Sequence, residues 1–84
     1  MYVMEEQIGK VIHFYDKISV AVVRLEKELA VEDMIQIKSK AGDFGQKVDS
    51  MQVNHSQVLS AKAGDEVAIK VGQKVKEGDA VYKE

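Results

Sequence analysis

Short runs of alternating apolar and polar residues recur along the whole chain, and Gly, Asp, Asn or Ser cuts each one off before it reaches helical length. The cleanest is "EVAIKV", where Val67, Ile69 and Val71 share one parity and Ala68 and Lys70 the other. Successive side chains of a strand point to opposite faces, so this spacing presents one apolar face. Val and Ile crowd these runs, and no long Ala- or Leu-rich stretch competes with them, which argues against helix.

"IGKVIHFY", "ISVAVVRL", "MIQIKSK", "QKVDSMQV", "QVLSA" and "AVYK" read the same way. In the first, Ile8, Ile12 and Phe14 fall on one parity and Val11 with Tyr15 on the other, which suits a strand packed on both sides for part of its length. The polar pair Asp16-Lys17 between β-branched runs reads as a hairpin bend. "EKELAVED" lacks the length and stripe of a packed helix and is a charged connector. About six or seven short strands at near-regular spacing predict an all-β fold, a small closed Greek-key β-barrel. With 84 residues there is room for one core, so residues 1–84 form a single domain, with 1–7 as a flexible or loosely paired lead-in.

The same phrase is written twice near the end, Gly64-Asp65 before "EVAIKV" and Gly78-Asp79 before "AVYK". Glycine takes positive φ at little cost, and the following carboxylate can accept bonds from backbone N–H groups, so the pair turns a chain sharply into a strand. "VEDMI" is a weaker third copy, with Glu32 in place of the glycine before Asp33. The alternative is that Asp65, Glu66, Glu77 and Asp79 gather into a cation site or an acid–base pair. Turns at exposed barrel rims offer no cleft to raise a carboxylate pKa, and geometry is the better reading. No EF-hand ligand pattern is present.

Other chemistry is thinly supported. Without cysteine there is no disulfide, thiolate ligand or cysteine nucleophile. His13 and His55 lack a partner ligand at metal spacing, so His13 reads as a barrel-wall residue and His55 in "NHS" as a turn residue. Ser50, His55 and Asp49 assemble into a triad only on paper, because nothing supplies a nucleophile elbow or oxyanion hole. "KAGDFGQK" is not followed by the Gly-Lys-Ser/Thr of a phosphate loop. No cofactor, no metal and no catalytic residue are expected.

The formal net charge of −2 argues against strong nonspecific binding to nucleic acid, DNA included. The distribution qualifies this, since acids outnumber cations up to Asp33 and lysines slightly outnumber acids from Met34 onward. Phe44, in a Gly-rich turn flanked by Lys38, Lys40 and Lys47, either stacks on a base or folds back over the barrel end as a core plug. "MYVMEEQIGK" has acids where a secretory signal needs a basic flank, and no apolar run reaches the roughly 18 residues of a membrane span. The expectation is a cytoplasmic protein.

Taken together, "GKVIHFYDKISVAVVRL", "DFGQKVDSMQVNH", "AGDEVAIKV" and "VKEGDAVY" resemble the β-barrel second domain of translational GTPases such as elongation factor Tu. They look closer still to the small C-terminal barrel of the collagenase-like peptidases, family U32, and to standalone translation elongation factor-like proteins. That resemblance implies an accessory barrel whose chemistry lies in another domain. It points to a non-catalytic, translation-associated module that binds RNA or a ribonucleoprotein through Lys38, Lys40, Phe44 and Lys47. His13, Tyr15 and Lys17 form a second patch. The rival is a protein-interaction subunit docking in trans on a peptidase-like or GTPase partner through a barrel edge or through Met34, Met51 and Val53.

Overall fold

The computed structural model describes residues 6–40 and 42–83, and every described element is a strand or a turn. The strands are β1 (Glu6–Tyr15), β2 (Val20–Leu25), β3 (Leu29–Ala30), β4 (Met34–Lys38), β5 (Phe44–Lys47), β6 (Met51–Val53), β7 (Ser56–Val58), β8 (Ser60–Ala61), β9 (Glu66–Lys70) and β10 (Ala80–Lys83). Eight of them form one curled sheet in the order β5-β4-β10-β1-β2-β9-β6-β7, and β3 pairs with β8 in a separate ribbon. The pairings within both sheets are antiparallel.

Alternation decides which residues make the core. Ala21, Val23 and Leu25 of β2, Ile35 and Ile37 of β4, and Val67 and Ile69 of β9 all point inward and are buried. Ile8, Val11, Met51 and Val81 join them from β1, β6 and β10, and Leu29 and Ala61 from the ribbon. The apolar face expected for "EVAIKV" is therefore the inner face of the curl.

β1 departs from strict alternation because it carries two irregularities. Its register slips against β10 between Gln7 and Gly9, and against β2 between Val11 and His13. An extra residue bends a strand and shifts its parity. Hence Ile8, Gly9, Val11 and Phe14 face the core, while Ile12, His13 and Tyr15 face outward. Ile8, Ile12 and Phe14 do not share a face. Glu6 and Gln7 already pair with Lys83 and Tyr82, so the strand starts inside the supposed lead-in, whose residues 1–5 lie outside the described ones. The bend after β1 is also longer than a polar pair: it runs through Ile18, which is 61% exposed, to Ser19 at a φ of 55°.

The Gly-Asp phrase is one device built three times. Asp65, Asp79 and Asp33 each donate their N–H to the carbonyl three residues back, at 3.0 Å to Lys62, 3.1 Å to Lys76 and 3.2 Å to Ala30. Each carboxylate returns the favour, accepting from the N–H of that same residue at 3.1, 2.8 and 2.9 Å. The residue before each Asp takes the positive φ of a type II turn, 93° at Gly64, 94° at Gly78 and 78° at Glu32.

Each turn then clips onto a buried residue of another segment through two backbone bonds. Gly64 donates to the Leu25 carbonyl and Leu25 to that of Asp65, both at 2.8 Å. Val11 brackets Gly78 and Asp79 in the same way at 2.7 and 2.8 Å, and Val48 brackets Glu32 and Asp33 at 2.7 and 2.9 Å. The "VED" copy is thus geometrically complete. Asp79 does not stand at an exposed rim: it is 9% exposed, a buried turn acceptor.

The sheet does not close into the expected barrel. β5 and β7 end it on either side, and the ladder joins neither to the other. "QKVDSMQV" fails to make one closing strand because Val48 leaves the ladder to bracket the Glu32-Asp33 turn, which separates β5 from β6. A single side chain spans the opening instead. Gln46 Nε2 donates to the Lys70 carbonyl at 2.8 Å, and its Oε1 accepts from the Gly72 N–H at 3.0 Å. The result is a half-barrel tied by an amide.

Candidate nucleic-acid interface

Residues directly opposite in an antiparallel ladder share a face, so the register identifies the outward surface. One cross-strand row runs Lys38, Ala80, Lys10, Arg24, Glu66 over β4, β10, β1, β2 and β9. A second runs His13, Val22, Ala68, Gln52 over β1, β2, β9 and β6. A third runs Tyr15, Val20, Lys70. Beside the first row, Tyr82 pairs with Gln36, and Lys47 lies opposite Met34 at the edge.

Charge on this face is segregated. Lys10, Arg24, Lys38, Lys47 and Lys70 project outward from the strands, and the exposed strand carboxylates among the described residues are Glu66 and Glu6, the latter paired with Lys27. Most other described acids sit in turns and connectors, where Asp33, Asp65 and Asp79 are committed to turn geometry. The chain's net negative charge therefore hides a cationic sheet face. Lys10 and Arg24 stand directly opposite one another, and such like-charge pairs oppose folding. Lys38 places its ammonium 5.0 Å from the centre of the Tyr82 ring.

The residues singled out from sequence divide between locations. Lys38 belongs to the cationic row and Lys47 to its edge. Lys40 is exposed in the connector after β4. Phe44 opens β5 opposite Ile37, on the inward parity, and packs against the core, which is the plug reading and not that of a free stacking ring. His13, Tyr15 and Lys17 do come together, lining a cavity of about 390 Å³ at the β1–β2 hairpin end with Phe14, Asp16 and Ile18. His13 and Tyr15 meet edge to face at 4.2 Å, and His13 Nδ1 lies 3.6 Å from Glu77 Oε2. Of the apolar residues assigned to a docking interface, Met34 is exposed, Val53 is half-buried, and Met51 is fully buried and drops out.

Sequence reasoning missed Lys10, Arg24 and Tyr82: Lys10 shares its sequence parity with Ile8, Ile12 and Phe14, and Arg24 with Ile18, Val20 and Val22, so only the bulged β1 register and the inward turn of Ala21, Val23 and Leu25 reveal them as outward. It also missed a trough of about 230 Å³ on the same face, lined by Tyr15, Val22, Gln52, Asn54, His55, Glu66 and Ala68. The small Ala68 between Val22 and Gln52 forms its floor. Asn54 and His55 are the two-residue turn between β6 and β7, with φ of 52° and 66°, and this conformation lifts them as one wall. No group of three His, Asp or Glu suited to a metal ion occurs among the described residues, so Asp65, Glu66, Glu77 and Asp79 do not gather. No helix among them is long and apolar enough to cross a membrane.

No protein-family model matches the chain. Over 77 residues, 90% of its length, it is 44% identical to an uncharacterised protease of Methanocaldococcus jannaschii, and it spans 19% of that protein. Two crystal structures of the C-terminal domain of a Geobacillus thermoleovorans protein assigned to the U32 peptidases share its fold, one of them a selenomethionine variant. Both superimpose with a TM-score of 0.88, covering 93% and 94% of this chain and 99% and 92% of theirs, at 16% and 17% identity. The half-barrel is therefore the fold of a domain found at the C-terminal end of a larger protein.

Proposed function

We propose that the chain is a non-catalytic, translation-associated binding module, of the kind that translational GTPases carry as a second domain, and that it contacts RNA or a ribonucleoprotein in the cytoplasm. The observation that carries this reading is the gathering of Lys10, Arg24, Lys38, Lys47 and Lys70 on one sheet face while most of the described acids lie in turns and connectors. Such a face attracts phosphate even where net charge is negative, because exposed charges beyond about 10 Å are largely screened at 0.1 M salt. The likeness to a domain of a U32 peptidase supports an accessory role, with catalysis residing elsewhere. Filter binding of transfer or ribosomal RNA at low and moderate salt tests it. Salt-dependent retention at micromolar protein, lost in Lys10→Glu/Arg24→Glu, is expected; no retention at low salt would sink the reading.

A second reading is favoured by the hairpin end, where Ile12, Tyr15 and Ile18 are 37%, 49% and 61% exposed beside the cavity. Exposed apolar clusters mark contact surfaces, and this one suits docking in trans on a peptidase-like or GTPase partner. Affinity capture from the source cell separates the two, because RNase abolishes recovery of an RNA-bridged partner and spares a direct one.

A further inference from the structure

The cationic row and the trough adjoin, because Glu66 is both the last residue of the row and part of the trough wall. From β4 to β2 the row spans about 14 Å across the strands, at the usual inter-strand spacing. It delivers Lys38, Lys10 and Arg24 in line toward a concavity that holds one aromatic ring, two carboxamides, an imidazole and a carboxylate. Phosphate contacts position a nucleic acid, whereas a pocket of this composition reads a base.

We propose that a single-stranded RNA segment lies across the outward face, its phosphates on Lys38, Lys10 and Arg24 and one unstacked base in the trough against Tyr15. The proposal rests on the RNA-binding reading above. A duplex cannot use the trough, since its bases are paired and stacked, and the deep major groove of A-form RNA is closed to side chains. The polar wall also discriminates. Gln52 and Asn54 donate and accept, but the Glu66 carboxylate accepts only, so it favours a base presenting an exocyclic amino group. Cytosine and adenine carry that group where uracil carries a carbonyl. The track therefore prefers C or A over U at one position.

Fluorescence anisotropy with labelled oligo(C), oligo(A) and oligo(U) of equal length, and with a blunt RNA duplex, tests this on the intact chain. Oligo(C) or oligo(A) is expected to bind about five- to tenfold tighter than duplex, the worth of one stacked base, and about five- to tenfold tighter than oligo(U), the worth of the hydrogen bond to Glu66. Tyr15→Ala should erase the margin over duplex and keep the salt dependence, Gln52→Ala should weaken both margins, and Glu66→Gln should bring oligo(U) level. Thermal midpoints close to that of the parent chain establish that the variants are folded. If single strand and duplex bind equally and the trough variants change nothing, while Lys10→Glu/Arg24→Glu abolishes binding, the track is overturned and the RNA module stands. If no RNA binds at low salt, both fall.

Discussion

Gly9 sits in β1 directly against β2, where there is no room for a side chain. A Cβ there would lie 2.7 Å from the Arg24 carbonyl oxygen and 2.8 Å from Val23 Cγ1, neither able to retreat from a paired ladder. Gly9→Ala is expected to destabilise by about 1–3 kcal/mol, read as a lower urea midpoint at unchanged slope. Glu32 poses the opposite case: it takes the left-handed φ of 78° that glycine supplies in the other two copies of the turn. Relief of that strain, about 1–2 kcal/mol, exceeds the extra freedom glycine loses on folding, so Glu32→Gly should raise stability by about 0.5–1 kcal/mol. A decrease would show that the Glu32 side chain makes a contact worth more than the strain. At Asp79, loss of the buried acceptor for the Lys76 N–H makes Asp79→Ala cost about 1–3 kcal/mol, whereas Asp79→Asn keeps an acceptor oxygen and should be mild. Chemical denaturation of the pair separates a turn role from a binding role, since a binding loss in folded Asp79→Asn would assign the carboxylate to chemistry.

Among the elements, strands with clean alternation were legible and irregular ones were not. "EVAIKV" and "MIQIK" appear as β9 and β4 with the expected face inward, because nothing interrupts their parity. β1 was misread because a bulge has no composition of its own; Gly9, buried against Arg24, was its one local sign. The trough was hidden for a related reason: Tyr15, Gln52 and Glu66 lie far apart in the chain and meet only through the β1-β2-β9-β6 order. The barrel's failure to close was equally invisible, since it follows from Val48 bonding the Glu32-Asp33 turn and from one amide spanning the gap. That amide is testable. Gln46→Ala removes two hydrogen bonds at the seam, each worth about 1 kcal/mol net, so stability should fall by about 1–2 kcal/mol and the Gly72 amide should exchange faster. Gln46→Glu keeps the acceptor for Gly72 and loses the donor to Lys70, and should fall between. Unchanged exchange at Gly72 in Gln46→Ala would mean that the backbone holds the seam without it.

For the whole molecule, the arrangement of charge matters more than its sum. A net charge of −2 predicts weak attraction to a polyanion, yet the turns sequester carboxylates on one set of positions while the sheet displays cations on another. Antiparallel topology makes this possible, because it brings Lys10, Arg24 and Lys38 from distant parts of the chain into one row. The two descriptions differ in a measurable slope. For single strands, log K falls against log salt with a slope of about −0.7 per neutralised phosphate, so engagement of that row gives a slope near −2. Lys10→Ala, which leaves two cations of the row, should flatten it to about −1.4. RNA binding that does not move with salt would rule out phosphate contacts by that row, and would leave the apolar hairpin end at Ile12, Tyr15 and Ile18 as the surface to test for a protein partner.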